Sequence, residues 1–214
     1  MTKINSVISL ISQLKKTKIR PTINKRMKEF EKIKTKKAIF KELCFCILTA
    51  NSSAEKCIKI QKEINDGFFY LNEKKLSKKL SDLGYRFPNT RAKYIIEARK
   101  KIKELIKAIN LCKKGNNKKA RELREWLVKN IKGLGMKESS HFLRNIGYKN
   151  LAIIDFHIVD FLVKNKIIKE NKNLTKEKYL EIEEILKKIA NKTNLSLGEL
   201  DLYIWYLETE KVLK

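Results

Sequence analysis

Residues 131–140 of the chain read Ile-Lys-Gly-Leu-Gly-Met-Lys-Glu-Ser-Ser, and the rest of the sequence is interpreted around this stretch. A helix with apolar periodicity precedes it and a second helix starts near Met136, so the two glycines form the turn of a helix-hairpin-helix. Gly133 and Gly135 let a phosphate approach the backbone closely, and the first N–H groups of the second helix point at it. An ordinary helix connection is the alternative interpretation of the two glycines alone.

Amphipathic helices account for almost all of the remaining sequence. Apolar residues recur at spacings of three and four, and no stretch alternates convincingly enough to be a strand. Only 7 Gly and 2 Pro occur in 214 residues, which argues against collagen, low-complexity linkers and turn-rich β-sandwiches. We therefore expect an all-α protein, with helices near residues 4–14, 23–33, 39–49, 54–64, 73–83, 88–109, 117–131, 136–146, 155–165, 176–192 and 197–208. Asp66 and Gly67 are expected to end the helix at 54–64, and the capping-box pattern Ser196-x-x-Glu199 precedes the last helix.

The chain is strongly basic, with 50 Lys and Arg against 24 Asp and Glu and a formal net charge of +26. The excess lies outside the last forty residues, because residues 175–214 hold seven bases and eight acids. The excess is densest between residues 86 and 119, which contain twelve basic and two acidic residues. So large an excess predicts a polyanionic partner, with nucleic acid as the first candidate. A solvated helix face in a lysine-rich chain is the alternative explanation of the dense stretch.

The 4 cysteines predict a reducing compartment rather than a disulfide framework. Cys44 and Cys46 lie two positions apart in the apolar run 43–48, so on a helix they face different directions and cannot jointly bind a metal. We interpret them as buried hydrophobic residues. No apolar run approaches the roughly 20 residues of a membrane span, and no export signal is visible at the N-terminus. We therefore expect a cytoplasmic protein with no membrane partner.

The hairpin continues into a second motif at a fixed spacing. Lys137 follows the turn directly, and Asp155 lies 18 positions beyond it in the stretch Leu-Ala-Ile-Ile-Asp-Phe-His at 151–157. A GxGxK hairpin, an Asp eighteen residues later and an apolar-apolar-Asp-x-His context together resemble the helix-hairpin-helix DNA glycosylases typified by endonuclease III. The segments 40–54 and 197–214 are similar to the small archaeal 8-oxoguanine DNA glycosylase/lyases, the type-2 Ogg family. The resemblance therefore spans nearly the whole chain.

This resemblance implies the roles of the two motif residues. Lys137 would attack C1′ of a damaged deoxynucleotide as a neutral amine, expel the base and leave a Schiff base that permits β-elimination. Asp155 would orient or deprotonate that amine and stabilise positive charge on the sugar, and it also suits the N-cap of a helix. At Phe156 the sequence departs from the archaeal relatives, which often carry Arg there. No group of four Cys follows Asp155, which excludes the iron–sulfur branch of the superfamily.

Residues expected to contact the duplex lie in two further loops. An extruded nucleotide leaves a gap in the base stack that the protein must fill. Asn51 occupies the position that resembles the superfamily's polar gap-filling residue, although a loop cap explains it equally well. Arg86 and Phe87 lie in a basic and aromatic loop suited to wedging beside the opposite strand, and a simple turn is the alternative. The residues predicted to bind DNA are therefore Asn51, Arg86 and Phe87 together with Gly133 and Gly135.

The C-terminal segment is implied to line the base pocket. In the archaeal relatives this region and the C-terminal Lys recognise the base, which corresponds to Trp205 and Lys214 here. Oxidation gives guanine an N7–H donor, so a discriminating pocket needs a hydrogen-bond acceptor at that atom. The terminal carboxylate of Lys214 is one group that could accept it. From the sequence alone, core packing also explains Trp205, and a frayed end also explains Lys214.

These observations predict two helical domains with the active site in the cleft between them. Residues 37–149 form a central bundle that ends in the helix-hairpin-helix, and residues 1–36 pack with a C-terminal domain at 150–214. The resemblance implies a monomeric bifunctional enzyme that excises 8-oxoguanine from double-stranded DNA at the nucleoid and cleaves abasic-site DNA. Nothing in the side chains calls for a metal or another cofactor. The same chemistry on oxidised pyrimidines and a non-catalytic DNA-binding scaffold are the alternatives. The pairing of Lys137 with Asp155 argues against the scaffold.

Overall fold

The computed structural model describes residues 3–112, 115–169 and 173–214. All regular secondary structure in these ranges is α-helical, which confirms the predicted fold class. None of the helices there combines the length and apolar character needed to cross a membrane. The helices are α1 (Lys3–Leu14), α2 (Ile19–Glu31), α3 (Lys36–Thr49), α4 (Ala54–Ile64), α5 (Gly67–Tyr70), α6 (Glu73–Asp82), α7 (Pro88–Lys100), α8 (Ile102–Leu111), α9 (Asn117–Asn130), α10 (Met136–Asn145), α11 (Phe156–Lys164), α12 (Lys176–Thr193) and α13 (Leu197–Thr209).

Local side-chain caps determine where several helices begin. Thr35, Ser53 and Thr175 each occupy an N-cap and accept a hydrogen bond from the backbone N–H three residues later. Ser196 caps α13 in the same way, and its own N–H donates to the Glu199 carboxylate at 2.8 Å. This completes the capping box that the sequence predicts. Because these contacts are local, α4, α12 and α13 begin at the predicted residues, whereas α3 begins at Lys36, three residues before the predicted start.

Two helix predictions are corrected by the structure. The single helix expected over residues 88–109 is divided into α7 and α8 at Lys101, whose N–H donates to the Ala98 carbonyl at 3.1 Å. That bond tightens the last turn of α7, and because no Gly or Pro marks the break, the apolar periodicity runs through it. The turn expected after α4 at Asp66 and Gly67 contains the short helix α5.

The helices enclose two separate hydrophobic cores. The first core is built by α3 to α10, and the second by α1, α2 and α11 to α13. The chain passes from the first core to the second between Leu151 and Ala152. Helix α10 lies at the junction, because Phe142 and Leu143 belong to the first core while Met136 packs against the second. A division into domains at residues 36 and 149 stays a prediction.

The cysteines behave as part of the first core. All four are buried free thiols, as the apolar setting of Cys44 and Cys46 predicts. Burial raises the pKa of both of these thiols well above the ordinary value, so they stay protonated at neutral pH. They therefore contribute packing to α3 rather than reactivity.

Candidate active site

A cavity of about 720 Å³ is lined by elements from both cores. Five of the nine predicted site residues line it, although they are spread over most of the chain. These five are Asn51, Lys137, Asp155, Trp205 and Lys214. The fold therefore assembles in one place residues that the sequence places far apart.

The two hairpin glycines form the turn that precedes Lys137 but do not line the cavity. Gly133 has a φ of +86°, and a Cβ there would lie 2.6 Å from Cδ2 of Tyr94, so conformation and space both exclude a side chain. Gly135 is the N-cap of α10, and its N–H donates to Oε2 of Glu138 at 3.2 Å. The turn thus ends in the first amides of α10, which have no acceptor within the helix.

Lys137 is the second residue of α10. Its side chain is 23% exposed, and Nζ lies 3.8 Å from Oε1 of Glu138, which is a loose ion pair that leaves the amine accessible. One turn further along, His141 lines the same cavity. Burial lowers the pKa of His141 well below its usual value, with smaller contributions from Arg144 and Lys137, so the imidazole is neutral. The amine therefore borders a partly enclosed space beside an uncharged imidazole.

Asp155 lines the same cavity from the segment that leads into α11. It is the N-cap of that helix, and its Oδ1 accepts a hydrogen bond from the N–H of Ile158 at 3.1 Å. Within the described residues, the second oxygen, Oδ2, has no donor. The capping interpretation is therefore correct, and it leaves one carboxylate oxygen free for chemistry.

Three aromatic rings form part of the cavity wall. The Trp205 indole meets the His157 ring edge-on at a centroid distance of 4.5 Å, and the Phe156 ring lies 3.9 Å from the same imidazole. Nε1 of Trp205 is buried and has no hydrogen-bond partner in the described part of the chain. Phe156 is 67% exposed. This part of the wall therefore combines a buried donor that has no partner in the described residues with a ring that is open to solvent.

Lys214 is anchored to the first core through its side chain. Nζ donates to Oε2 of Glu42 at 2.9 Å and also to the side-chain oxygen of Gln61. The same ammonium lies 4.4 Å from the centroid of the Phe45 ring. Glu42 is almost completely buried, so its carboxylate depends on these partners. Anchoring of the side chain contradicts the interpretation of Lys214 as a frayed end.

A chain of buried polar groups continues from Glu42 to Asp201. Glu42 accepts a hydrogen bond from Asn145 at 2.7 Å, and Asn145 accepts one from Nε of Arg144 at 2.9 Å. Arg144 in turn donates from Nη1 to Asp201 at 2.7 Å. Burial raises the pKa of Asp201 to about 7, although Arg144 opposes this shift. Asp201 lies one turn before Trp205 and lines the cavity.

Comparison with known proteins identifies the family. The family model described as 8-oxoguanine DNA glycosylase (Ogg-HhH) matches residues 23–195. The chain belongs to this family. It is 50% identical over 212 residues to the 8-oxoguanine DNA glycosylase/AP lyase of Korarchaeum cryptofilum, with 99% of each chain covered. It is 53% identical over 213 residues to the protein of the same name from Methanocaldococcus jannaschii, covering 97% of this chain and 99% of the relative.

Solved structures of this glycosylase family share the fold. The M. jannaschii 8-oxoguanine glycosylase/lyase in complex with a 15mer DNA containing 8-oxoguanine matches with a TM-score of 0.90 at 50% identity. The match covers 98% of this chain and all of that one. The 8-oxoguanine DNA glycosylase of Thermotoga maritima matches with a TM-score of 0.89 at 39% identity, over 99% of this chain and all of the other. The predicted family resemblance is confirmed along almost the entire chain.

In this member of the family, the predicted gap-filling residue lies at the edge of the cavity. Asn51 lies in the turn between α3 and α4 with a φ of +62°, a conformation in which Asn is enriched. The cap of α4 is Ser53, so capping of that helix does not explain Asn51. Arg86 and Phe87 are exposed and stack on each other at 5.0 Å, but they do not line the cavity. Two predicted DNA contacts therefore lie outside it.

The Asn51 loop and the hairpin are neighbours in space. Nη2 of Arg91 donates to the carbonyl of Ala50 at 3.0 Å. A Cβ built on Gly133 would lie 3.2 Å from Nη1 of the same guanidinium. Arg91, which is largely buried, thus joins two of the segments that we expect to contact DNA.

Sequence reasoning missed Glu42, Arg144 and Asp201. Glu42 carries a signal that could have been used, because it is a charged residue inside the apolar run 39–48. Asp201 precedes Trp205 by four positions and so shares its helix face. Arg144 carries no such signal, since its importance depends on Asp201 of α13 and on the ring of Phe30 of α2, which it meets only in the folded chain.

Proposed function

We propose that this protein is a bifunctional DNA glycosylase and abasic-site lyase that removes 8-oxoguanine from double-stranded DNA. The observation that carries the proposal is the placement of Lys137 and Asp155 in one cavity of about 720 Å³ whose wall includes Trp205. A volume in this range is typical of small-molecule sites and accommodates a nucleobase extruded from the duplex. The family to which the chain belongs, and the names of its relatives, support the same substrate.

In the first step, the neutral amine of Lys137 attacks C1′ of the damaged nucleotide. The N-glycosidic bond breaks, its electron pair leaves with the base, and the base takes up a proton. Asp155 accepts a proton from the attacking nitrogen, and its negative charge stabilises the cationic sugar while the bond is breaking. The oxygen Oδ2, which the helix cap leaves free, is the atom available for this role.

In the second step, the sugar ring opens at O4′ and leaves a Schiff base between C1′ and Lys137. Loss of a proton from C2′ then expels the 3′ phosphate by β-elimination, which cleaves the strand. Hydrolysis of the Schiff base returns the free amine. One lysine therefore serves both base excision and strand cleavage.

Base recognition is assigned to the part of the cavity that Trp205 and Lys214 line. The Trp205 indole offers a face for the extruded base and a buried N–H with no partner in the described residues. Lys214, anchored by Glu42, borders the same space. A pocket with fixed polar groups rejects a base that cannot satisfy them more strongly than a pocket defined by shape alone.

DNA binding is assigned to the hairpin and to the adjacent loops. The amides behind Gly133 and Gly135 bind a backbone phosphate, Asn51 fills the gap left by the extruded base, and Arg86 with Phe87 wedges beside the opposite strand. The excess of basic residues supplies phosphate contacts that do not depend on sequence. We propose that the protein acts on lesion-containing and abasic duplexes as a monomer, on the nucleoid in the cytoplasm.

The test is borohydride trapping on duplexes that each contain one lesion. Reduction of the Schiff base should link the protein covalently to 8-oxoguanine DNA and to abasic DNA, but not to undamaged DNA. Trapping on an oxidised pyrimidine and not on 8-oxoguanine would favour the alternative substrate. Tight binding to every duplex without any trapping would identify a non-catalytic scaffold instead.

A further inference from the structure

Lys137 and Asp155 are carried by two segments that meet at the junction between the two cores. Lys137 is carried by α10, whose Phe142 and Leu143 belong to the first core. Asp155 follows the segment that enters the second core at Ala152. The separation of the two groups therefore depends on contacts that bridge the cores.

A buried ion pair bridges the cores at this point. Arg124 of α9 and Glu183 of α12, whose side chains are each 1% exposed, form two parallel contacts: Nη1 to Oε1 at 2.6 Å and Nη2 to Oε2 at 2.9 Å. Arg124 Nη1 also donates to Oγ of Ser140 at 3.2 Å. Ser140 lies on α10, three residues after Lys137, so the pair reaches the helix that carries the nucleophile.

The same ion pair reaches the segment that carries Asp155. Oε1 of Glu183 accepts the N–H of Ala152 at 2.8 Å, and the hydroxyl of Tyr179 donates to the Ala152 carbonyl at 2.6 Å. That hydroxyl also accepts the N–H of Ile154 at 3.3 Å and lies 3.3 Å from Oγ of Ser140. Burial raises the pKa of Tyr179, so the hydroxyl remains a donor at any pH at which the protein is studied.

Stability alone is a weak reason for such a pair. Removing two charges from water is costly, and replacing a buried ion pair by apolar residues of similar volume is often neutral or stabilising. A second pair, Arg121 with Glu184 at 2.7 Å, joins the same two helices at the surface, where the side chains are 43% and 51% exposed. Helices α9 and α12 are thus linked without the buried pair.

We infer that Arg124, Glu183, Tyr179 and Ser140 form a positioning cluster that sets the separation of Lys137 and Asp155 across the junction of the cores. The inference rests on the proposed function, because it assigns these residues to the geometry of the proposed reaction. None of the four touches the substrate in this scheme. They act through α10 on one side and through residues 152–154 on the other.

The test compares two double variants that remove parallel ion pairs between the same helices. Arg124→Met with Glu183→Leu removes the buried pair, and Arg121→Met with Glu184→Leu removes the exposed one. Borohydride trapping is followed on a duplex with a preformed abasic site, with enzyme in excess, so that the rate constant and the final trapped fraction are measured separately. Affinity for a duplex with an uncleavable abasic analogue is measured beside it.

The buried double variant should trap at least about tenfold more slowly, because small misplacements of reacting groups are costly. Its final trapped fraction and its affinity should match those of the wild type. The control double variant should match the wild type in rate constant, trapped fraction and affinity. Tyr179→Phe, which removes one hydroxyl and keeps the ring, should slow trapping by a smaller factor. This single variant decides the question if the buried double variant does not fold.

A wild-type rate constant in the folded buried double variant would overturn the inference. If the buried double variant does not fold, a wild-type rate constant in Tyr179→Phe would overturn the inference instead. A lower trapped fraction at an unchanged rate would also overturn it, because that result means only that fewer molecules are folded. Failure of the wild type itself to trap abasic DNA would remove the proposed function and the positioning cluster with it. Slower trapping confined to the cluster variants supports both.

Discussion

The two walls of the cavity are stabilised in different ways. The hairpin wall, which carries Lys137 and Asp155, depends on contacts between residues three positions apart, such as Gly135 with Glu138 and Asp155 with Ile158. The C-terminal wall, which carries Trp205 and Lys214, depends on contacts that span 103 and 172 positions through Glu42. The difference indicates that each reactive group is held in its own turn by a local motif. The separation of the two groups and the base-binding surface both depend on contacts between distant parts of the chain.

The largest effect is expected from removing the nucleophile of the hairpin wall. Lys137→Gln keeps a polar side chain that is only one atom shorter and removes the amine, so borohydride trapping should be abolished while affinity for damaged DNA stays near normal. Lys132→Gln is the matched control, because Lys132 lies in the same hairpin and its side chain is 65% exposed in a contact with Glu97. Trapping by Lys137→Gln at the control's rate would place the nucleophile elsewhere.

The second effect concerns the carboxylate of the same wall. Asp155→Asn keeps the N-cap of α11, because Asn caps helices about as well as Asp, but it removes the charge that stabilises the sugar cation. Single-turnover excision of 8-oxoguanine should fall by about 10² to 10⁴ with little change in affinity or melting temperature. A fall in melting temperature with retained activity would leave Asp155 as a helix cap alone.

The contrast between the walls also explains how much the sequence could reveal. The hairpin, the N-cap at Asp155 and the capping box at Ser196 are encoded within a few positions, and each was predicted. The break at Lys101 was not, because no residue with special backbone preferences marks it. The role of Glu42 was not predicted either, since its partners Asn145 and Lys214 become neighbours only in the folded chain.

The third prediction tests the electrostatics of the C-terminal wall. Burial holds the pKa of Asp201 at about 7, above its ordinary value of 3.8, so the folded state binds this proton more tightly than the unfolded state does. The stability contributed by the group is therefore complete below about pH 4 and is lost as the pH rises towards 7.

Asp201→Asn has no such titration. The free energy of unfolding of the wild type relative to Asp201→Asn should fall by up to about 4 kcal/mol between pH 4 and pH 7. Urea unfolding of both proteins across this range measures the difference. Parallel stability curves would show that Asp201 is ionised throughout, held in that state by Arg144.

The smallest effect is expected from the contact that anchors the C-terminal wall. Lys214→Met keeps much of the side-chain volume but removes the ammonium that contacts Glu42 and Phe45. Excision of 8-oxoguanine should fall about tenfold, which corresponds to about 1.4 kcal/mol. Cleavage at a preformed abasic site should change much less, because no base has to be held there. Lys211→Met is the control, since Lys211 pairs with Glu55 at the surface, where such pairs contribute little.

A double variant separates two causes of that loss. Lys214→Met leaves the buried Glu42 carboxylate without its cationic partner, and an unpaired buried charge is itself destabilising. Adding Glu42→Gln removes this charge and keeps a side chain that can still accept a hydrogen bond from Asn145. If the uncompensated charge causes the defect, the double variant should recover excision. If the anchored lysine itself shapes the wall, excision should stay low in both variants while abasic-site cleavage remains intact. Equal loss on both substrates would contradict the division of labour between the two walls.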